Sequence, residues 1–93
     1  MAEVTVTVPR LLADLVGGAR HQAVDARTAG EALDELCRTH PGLRTHIFDG
    51  STVRTHVNVF VNGEMLSRHE PLDRPVVAGD DVAVVPAVSG GQR

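Results

Sequence analysis

Two glycines near the end of the chain, Gly90 and Gly91, are the residues whose type and spacing most suggest chemistry. Glycine has no side chain and accepts backbone conformations that other residues resist, so Ser89-Gly90-Gly91 could enter a narrow channel on another protein. Such a segment also leaves the glycine carbonyl open to attack from both faces. The chain continues with Gln92-Arg93. Two glycines alone are a weak signal, and their meaning depends on the elements that precede them.

The other reactive side chains form no catalytic pattern. Cys37 falls on the apolar side of a predicted helix, which favours a buried structural thiol, because reactive cysteines need exposure and positive surroundings. Ser89 has no acid–base pattern near it, so we interpret it as a small spacer. The five histidines lack metal-ligand spacing, and no Gly-rich loop precedes Lys-Ser or Lys-Thr. We predict no catalytic residue, no metal site and no enzyme activity.

The composition limits the classes of function. Ninety-three residues are enough for one domain, and 42% hydrophobic residues support a folded core. Two aromatic residues and a net charge of −3 argue against nucleic-acid binding. All nine basic residues are arginine, so no side-chain ammonium is available for Schiff-base chemistry or as an isopeptide acceptor. Without a signal-peptide pattern or a membrane-spanning apolar stretch, we expect a cytoplasmic protein that binds no membrane.

Alternation of apolar and β-branched residues predicts strands separated by turns. The predicted strands are Glu3–Val8, Arg20–Asp25, His56–Val61, a short Glu64–Leu66 and Val82–Pro86. Gly17-Gly18 and Asn62-Gly63 are turn signals. Between the first two strands, Arg10–Val16 is a predicted connector. Its apolar residues are expected to tuck under the sheet: Leu11, Leu12, Leu15 and Val16.

One main helix is predicted after the second strand. Thr28-Ala29-Gly30-Glu31 has the form of a capping box. Apolar residues then recur at helical spacing, namely Ala32, Leu33, Leu36 and Cys37. Pro41-Gly42 ends the helix near His40. Residues 43–55 are polar and turn-rich and are predicted mostly as loop, and Pro71–Val77 as irregular with at most a single helical turn.

The order strand, strand, helix, strand, short strand, strand predicts an α+β fold. A right-handed crossover places a strand after the helix parallel to one before it, and the helix packs across one face of the sheet. The result is a β-grasp, or ubiquitin-like, domain with a mixed sheet of four to five strands. We predict one domain over residues 1–88 and a flexible tail over residues 89–93.

The end of the chain resembles the ThiS/MoaD family of ubiquitin-like sulfur carriers. In that family a G-D-E/D turn leads into a last strand that runs through a Pro and a Val to Gly-Gly, as Gly79–Gly91 does here. Val57–Glu64 is similar to the family's V-N-x-x-V-N segment. In coarse form the resemblance covers nearly the whole chain. Within the family, the ending is most like the CysO group, which delivers sulfur for cysteine synthesis in actinobacteria.

The resemblance implies a stoichiometric sulfur carrier that binds no cofactor itself. In the family a ubiquitin-activating-like adenylyltransferase/sulfurtransferase, which uses ATP and Mg²⁺, converts the carboxylate of the last glycine to a thiocarboxylate, here on Gly91. Family members usually end at that glycine, so Gln92-Arg93 implies either a precursor trimmed by a JAMM-type metallopeptidase or a remnant of an expression vector. A biosynthetic enzyme then accepts the sulfur. Cysteine, molybdopterin, thiamine and specialised-metabolite pathways all stay open.

The strand pattern also predicts a partner-docking surface. If the valines of Val57–Val61 face the helix, Phe60 points to the opposite face of the sheet. An inward Val84 places Val85 outward, next to the tail. The predicted docking residues are Phe60, Val85, Ala87 and Val88. An apolar patch beside the tail suits a partner site, whereas the alternative is that Phe60 covers loop residues.

Two other functions stay open at this point. The chain could be a ubiquitin-like modifier that forms isopeptide bonds with other proteins, although it has no lysine through which chains could form on itself. It could also be a β-grasp interaction module without catalytic function, in which the glycines only mark a frayed end. The sulfur carrier is the function that the sequence favours.

Overall fold

The computed structural model describes residues 2–50, 52–54, 56–66 and 72–86. Its elements, in chain order, are β1 Glu3–Thr7, a 3₁₀ helix Arg10–Val16, β2 His21–Asp25, α1 Ala29–Thr39, a 3₁₀ turn Pro41–Leu43, α2 Arg44–Ile47, β3 Phe48–Asp49, β4 Thr52–Val53, β5 Val57–Val61, β6 Glu64–Met65 and β7 Asp81–Pro86. Among these elements, no helix is long and apolar enough to cross a membrane.

Five of the strands form one mixed sheet in the order β2-β1-β7-β5-β6. β1 pairs antiparallel with β2 and parallel with β7, and β5 pairs antiparallel with β7 and with β6. The last strand of the sequence is therefore the central strand of the sheet. This mixed sheet with one main helix confirms the predicted β-grasp fold. β3 and β4 form a separate two-stranded hairpin.

The core lies between the sheet and α1, as the alternation of the strands predicts. The inward valines of β1, β5 and β7 are all buried: Val4, Val6, Val57, Val59, Val61, Val82 and Val84. Leu33 and Leu36 of α1 pack into the same cluster and are also buried. Complete burial of a side chain of this size contributes about 1.5–3 kcal/mol. The sheet and helix therefore hold each other in place mainly through this single apolar layer.

The start of α1 is fixed by side-chain hydrogen bonds. The backbone N–H of Glu31 donates to the Oγ1 of Thr28 at 3.1 Å, which satisfies one of the free donors of the first helical turn. The Glu31 carboxylate in turn accepts from the backbone N–H of Arg27 at 2.6 Å. The predicted capping box is thus confirmed in outline, with Arg27 as the backbone donor to Glu31.

Residues 43–55 differ from the predicted loop. After α1 the chain forms the 3₁₀ turn Pro41–Leu43, then α2 and the β3–β4 hairpin, and the side chains of Leu43, Ile47 and Phe48 are buried. Elements of two to four residues are too short to show a helical or strand period, so their apolar residues gave no recognisable pattern. This segment closes the core at the end of α1.

The connector between β1 and β2 is a 3₁₀ helix, and the prediction for Leu11 was wrong. Leu12 and Val16 are buried and Leu15 is partly buried against the core, whereas Leu11 is 81% exposed. A 3₁₀ helix has three residues per turn, so Leu12 and Leu15 share one face. Leu11 shares the opposite, solvent-facing side with the exposed Asp14.

Leu72 and Asp73 form a turn and the rest of the segment to Val77 is irregular, as the sequence predicts, and the segment packs along the start of α1. Ala29 donates its backbone N–H to the Arg74 carbonyl at 2.8 Å, and Val76 donates to the Arg27 carbonyl at 2.9 Å. A Cβ added to Gly30 would lie 2.5 Å from the Cδ2 and 2.6 Å from the Cα of Leu72. Only glycine fits at this point without a shift of the backbone.

Asn62 joins the β5–β6 turn to the start of β7. Its φ is +52°, and its side-chain oxygen accepts from the Asp81 backbone N–H at 2.9 Å. Its side-chain nitrogen donates to Asp80 at 3.0 Å. That bond and the Val77 backbone N–H lower the pKa of the Asp80 carboxyl from its ordinary value. Hydrogen bonds thus join the β5–β6 turn and the turn before β7 into one junction.

Gly30 provides a test of this packing. Alanine is about 1 kcal/mol better than glycine inside a helix, yet we expect Gly30→Ala to lower the free energy of unfolding by about 1–3 kcal/mol because the new methyl group overlaps the Leu72 backbone. Urea unfolding followed by circular dichroism measures the change. The control is Gly42→Ala, whose Cβ would meet only the Leu15 Cδ2 at 3.9 Å. Equal stability of Gly30→Ala and the unaltered protein would contradict the close approach.

Candidate functional site

The tail begins at the end of β7, in the middle of the sheet. Pro86 is the last described residue, and it lies opposite Val57 of β5. The predicted tail and docking residues after it, namely Ala87, Val88, Ser89, Gly90, Gly91, Gln92 and Arg93, lie outside the described residues. The structure therefore locates the strand from which the tail continues.

β7 is held on both sides. It pairs with β1 from Thr5 opposite Asp81 to Thr7 opposite Ala83, and with β5 over five consecutive residue pairs. Val82 and Val84 anchor it in the core. A strand with two neighbours and a buried face has little freedom to shift its register. The starting point of the tail is thus fixed relative to the surrounding surface.

A row of apolar side chains crosses the outer face of the sheet, the face opposite α1. Met65 of β6, Phe60 of β5 and Ala83 of β7 are directly opposite one another in the strand pairing. Directly opposite residues have Cβ atoms about 4.5–5.5 Å apart and project from the same face. Phe60 is half-buried and Met65 is 59% exposed.

Val85 extends this row toward the tail. It is two residues beyond Ala83 on the same face of β7, diagonal to Phe60, and is 43% exposed. The structure thus places Phe60 and Val85 on one outward surface, as the strand pattern predicted. We call Phe60, Met65, Ala83 and Val85 the apolar patch. Sequence reasoning missed Met65, although the two-residue Asn62-Gly63 turn fixes its position opposite Phe60.

The same row continues into polar residues on β1 and β2. The Thr7 hydroxyl donates to the Asp81 carboxylate at 2.8 Å, and its oxygen lies 3.0 Å from the Nδ1 of His21. Because the hydroxyl has one proton and gives it to Asp81, the His21 Nδ1 must be the donor to Thr7. A hydroxyl nucleophile needs the opposite arrangement, with a base that accepts its proton. This trio therefore ties three strands together rather than activating Thr7.

The single thiol of the chain is buried. Cys37 is 1% exposed on the core face of α1. Burial raises the pKa of the Cys37 thiol to about 11, and this effect outweighs the lowering by the Arg44 guanidinium. A thiol with this pKa is almost wholly protonated near neutral pH and is a poor nucleophile. The predicted burial of Cys37 on the apolar face of the helix is confirmed.

The polar side chains of the described residues were compared with the requirements of a metal site. The described residues include no group of three or more His, Cys, Asp or Glu residues placed to bind a metal ion, and none of their polar side chains is buried. A shallow groove of about 360 Å³ beside the start of α1 is lined mainly by Asp25, Arg27, Glu31 and Glu35. It is open to solvent, so nothing there offers an enclosed site.

Comparison with known proteins gives a family match over most of the chain. The ThiS family model matches residues 6–91. The match begins within β1, includes the other four strands of the sheet and ends at Gly91. Gln92 and Arg93 fall outside it.

Two curated relatives match over almost their full length. Small archaeal modifier protein 1 of Haloferax volcanii is 41% identical over 88 residues, covering 88% of this chain and 97% of that protein. The sulfur carrier protein CysO of Mycobacterium tuberculosis is 30% identical over 91 residues, covering 95% of this chain and 98% of that protein. Both are named as a modifier or a carrier rather than as an enzyme.

Solved structures support the same relationship. CysO in its complex with BexX from Amycolatopsis orientalis superimposes with a TM-score of 0.85 at 30% identity, covering 95% of this chain and 99% of that one. The crystal structure of the Haloferax volcanii modifier gives a TM-score of 0.82 at 35% identity, covering 97% of this chain and all of that one. The predicted family and its likeness to the CysO group are confirmed.

The burial of Cys37 leads to a simple reactivity test. We expect the folded protein at pH 8 to react with a thiol reagent such as Ellman's reagent at least about 100-fold more slowly than the unfolded chain, since burial keeps the thiol protonated and inaccessible. Absorbance of the released dye measures the rate.

The control is Ala23→Cys, which places a thiol on an exposed position of β2. That variant should release one equivalent of dye quickly and the second slowly. Fast reaction of Cys37 in the folded, unaltered protein would contradict its buried position.

Proposed function

The chain belongs to the ThiS family of small sulfur carriers and ubiquitin-like modifiers, and on that premise we propose that it carries sulfur as a thiocarboxylate on Gly91. The observation that carries the proposal is the connection of the central strand to the glycine tail: β7 ends at Pro86, and Gly90-Gly91 follow four residues later. The protein acts as a stoichiometric co-substrate, and its partners do the chemistry.

The proposed reaction begins with a poor electrophile, the Gly91 carboxylate. Its oxygen attacks the α-phosphorus of ATP bound with Mg²⁺ on an adenylating partner, which forms an acyl-adenylate and releases pyrophosphate. The terminal sulfur of a partner persulfide then attacks the carbonyl and displaces AMP, which gives an acyl disulfide. A thiol supplies two electrons to cleave the S–S bond, leaving the thiocarboxylate on Gly91 and a disulfide on the partner.

The two glycines suit this reaction sterically. A tail without side chains can enter a narrow channel and leaves the carbonyl accessible to the persulfide. Ordering such a tail costs about 1–2 kcal/mol per residue. Contacts made by the folded body must offset that cost. The apolar patch, which lies on the strand that leads into the tail, is the surface we propose for these contacts, together with Ala87 and Val88.

Gly91 needs a free carboxylate before it can be adenylated. In this chain a peptide bond joins Gly91 to Gln92. We propose that a JAMM-type metallopeptidase removes Gln92-Arg93, in keeping with a family match that ends at Gly91. The activated form is then the chain that ends at Gly91.

The proposed sulfur acceptor is an enzyme of cysteine-type biosynthesis, since the CysO relatives are similar along nearly their whole length. Molybdopterin, thiamine or a specialised metabolite are the other acceptor pathways. The CysO of Amycolatopsis orientalis was solved in a complex with BexX, which supports a mode of action in which a carrier docks on a partner protein. We place these reactions in the cytoplasm, where ATP is available.

Protein modification is the second candidate function. The relative with 41% identity is named a small archaeal modifier protein. In this role the adenylated Gly91 would acylate a lysine of another protein instead of accepting sulfur. The chain itself contains no lysine, so it cannot be extended into lysine-linked chains. The two roles share the first step and differ in the nucleophile that attacks the adenylate.

Mass spectrometry of the reacted protein tests the proposal. Incubation with the JAMM-type peptidase, the adenylating enzyme, ATP, Mg²⁺ and a sulfur source should remove Gln92-Arg93 and then replace one oxygen of the chain by sulfur. Deletion of Gly91 should abolish sulfur loading while the far-UV circular dichroism stays unchanged. Cys37→Ala should load normally.

Other outcomes separate the candidate functions. Covalent adducts of this chain on lysines of other proteins, without a thiocarboxylate, would favour the modifier role. A chain that is neither trimmed nor adenylated by the enzymes encoded in its genome would contradict the sulfur-carrier proposal.

The apolar patch predicts a docking variant. Phe60→Asp puts a carboxylate at the centre of the patch, so we expect the KM for the trimmed carrier in the adenylation reaction to rise at least about tenfold, the loss typical of a central interface residue. Pyrophosphate exchange measures this value. Because Phe60 lies on the outer face, far-UV circular dichroism should not change.

Ala23→Asp is the matched control. It introduces the same carboxylate on the same face of the sheet, but on β2, at the edge remote from β5 and β6. We expect less than about a twofold change in KM, as for most surface substitutions. A loss of folded signal in Phe60→Asp would show that this side chain supports the core instead.

A further inference from the structure

Three arginines surround the end of the sheet from which the tail continues. We call this the tail end: β1 and β7 finish there, and β2 and β5 start there. Arg10 begins the 3₁₀ helix after β1, Arg20 directly precedes β2, and Arg54 lies three residues before β5. These three, the tail-end arginines, come from three separate segments of the chain.

The tail-end arginines form no ion pair within the described residues, and two of the three guanidiniums are held by hydrogen bonds. The Nε of Arg20 donates to the Val8 carbonyl at 3.1 Å, and the Nε of Arg54 donates to the Thr45 carbonyl at 2.6 Å. A guanidinium has five N–H donors, so these bonds leave the two terminal nitrogens available. Those nitrogens form the fork that binds carboxylates in a bidentate manner.

The arginines that do form ion pairs lie elsewhere. Arg38 pairs with Glu35 and Arg44 with Asp34 along the helix side, and Arg74 pairs with Glu64 beyond β5. No ion pair of Arg10, Arg20 or Arg54 occurs in the described part of the chain. Asp14 is the carboxylate nearest to Arg10 along the connector, and the two make no ion pair.

The opposite end of the sheet is acidic. Glu3 and Asp25 lie directly opposite each other on β1 and β2, and Asp80 and Asp81 stand at the start of β7. Like charges directly opposite on neighbouring strands are unfavourable, so this arrangement is not explained by stability of the sheet. Arg27 and Arg74 also lie near this end, beside the start of α1, so the two ends of the sheet differ in net charge along the direction of β7.

The length of the tail determines what the tail-end arginines face. Residues 87–91 can extend at most about 3.3–3.6 Å each, or about 17 Å in total. A protein that takes Gly91 into a reaction site must therefore lie against the tail end of the sheet. The tail-end arginines are then at the edge of that contact.

We propose that the tail-end arginines dock on a ring of carboxylates around the opening through which the adenylating partner receives the tail. This inference rests on the proposed function and specifies the chemistry of its partner. Opposite charges at the rim of an interface accelerate the encounter, and like charges suppress the wrong orientation. The acidic far end is repelled by the same carboxylates, so the carrier approaches with its tail first.

Charge reversal at matched positions tests the inference. Arg10→Glu and Arg27→Glu change the net charge equally, and both arginines are exposed, but Arg27 lies at the acidic end, between β2 and α1. The assay is pyrophosphate exchange by the purified adenylating enzyme of the same organism, with the trimmed carrier, ATP and Mg²⁺.

At low salt we expect Arg10→Glu to raise the KM for the carrier about five- to tenfold with kcat unchanged, because a rim charge acts on docking rather than on chemistry. At an ionic strength near 0.5 M, the screening length falls to roughly 4 Å, so the difference in KM between Arg10→Glu and the unaltered carrier should nearly vanish. Arg27→Glu should change KM by less than about twofold, and Arg10→Lys, which keeps the charge, should do the same.

Equal KM values for Arg10→Glu and Arg27→Glu, or a difference that salt does not reduce, would overturn the inference while the sulfur-carrier proposal stands. Failure of the enzyme to activate the unaltered trimmed carrier would overturn both. Urea unfolding of each variant shows whether a change in KM comes from loss of the fold. Arg10→Lys keeps the positive charge but changes the shape of the side chain, so its KM shows which of the two the partner recognises.

Discussion

The fixed position of β7 is the constraint on which the rest of the structure depends. The strand is central in the sheet, pairs with β1 and β5, and buries Val82 and Val84 against the helix. A strand held in this way cannot slide by one residue without turning its valines to solvent and Val85 to the core. The register of β7 therefore determines both which side chains surround the tail and how far Gly91 can reach from the folded body.

This constraint separates two tasks in the molecule. In the proposed function, the folded body supplies the docking surface, and the tail supplies the atom that is modified. Chemistry on the body would compete with that of the partners, and the structure offers little of it: the Cys37 thiol is buried with a raised pKa, and the Thr7 hydroxyl gives its proton to Asp81. The proposed reactive group therefore lies on the glycine segment, where a partner that accommodates two glycines would act on it.

The sequence predicted the parts of the fold that have a clear period. Alternating valines predicted β1, β5 and β7, and the capping box predicted α1. Because the valines of β5 and β7 face the helix, the same alternation predicted that Phe60 and Val85 point away from it. Two features could not be predicted. The segment from Pro41 to Val53 consists of elements too short to show a period, and the exposure of Leu11 follows from the three-residue turn of a 3₁₀ helix.

Met65 was missed because its position depends on the hairpin register, which requires the turn and the strand to be considered together. The tail was predicted from its two glycines and from the family resemblance.

In the proposed docking, the apolar patch and the tail-end arginines are complementary because they would contribute at different stages of binding. Apolar contact acts only over a few ångströms and has no preferred direction. The patch alone would therefore not select one rotational orientation of the carrier on its partner. Coulombic attraction acts over roughly a screening length of 8–10 Å at physiological salt, and the separation of charge along β7 gives it a direction. A carrier has one productive orientation, with Gly91 ahead of the body. Charge can select that orientation before contact, and the patch can then retain it for the time that adenylation needs.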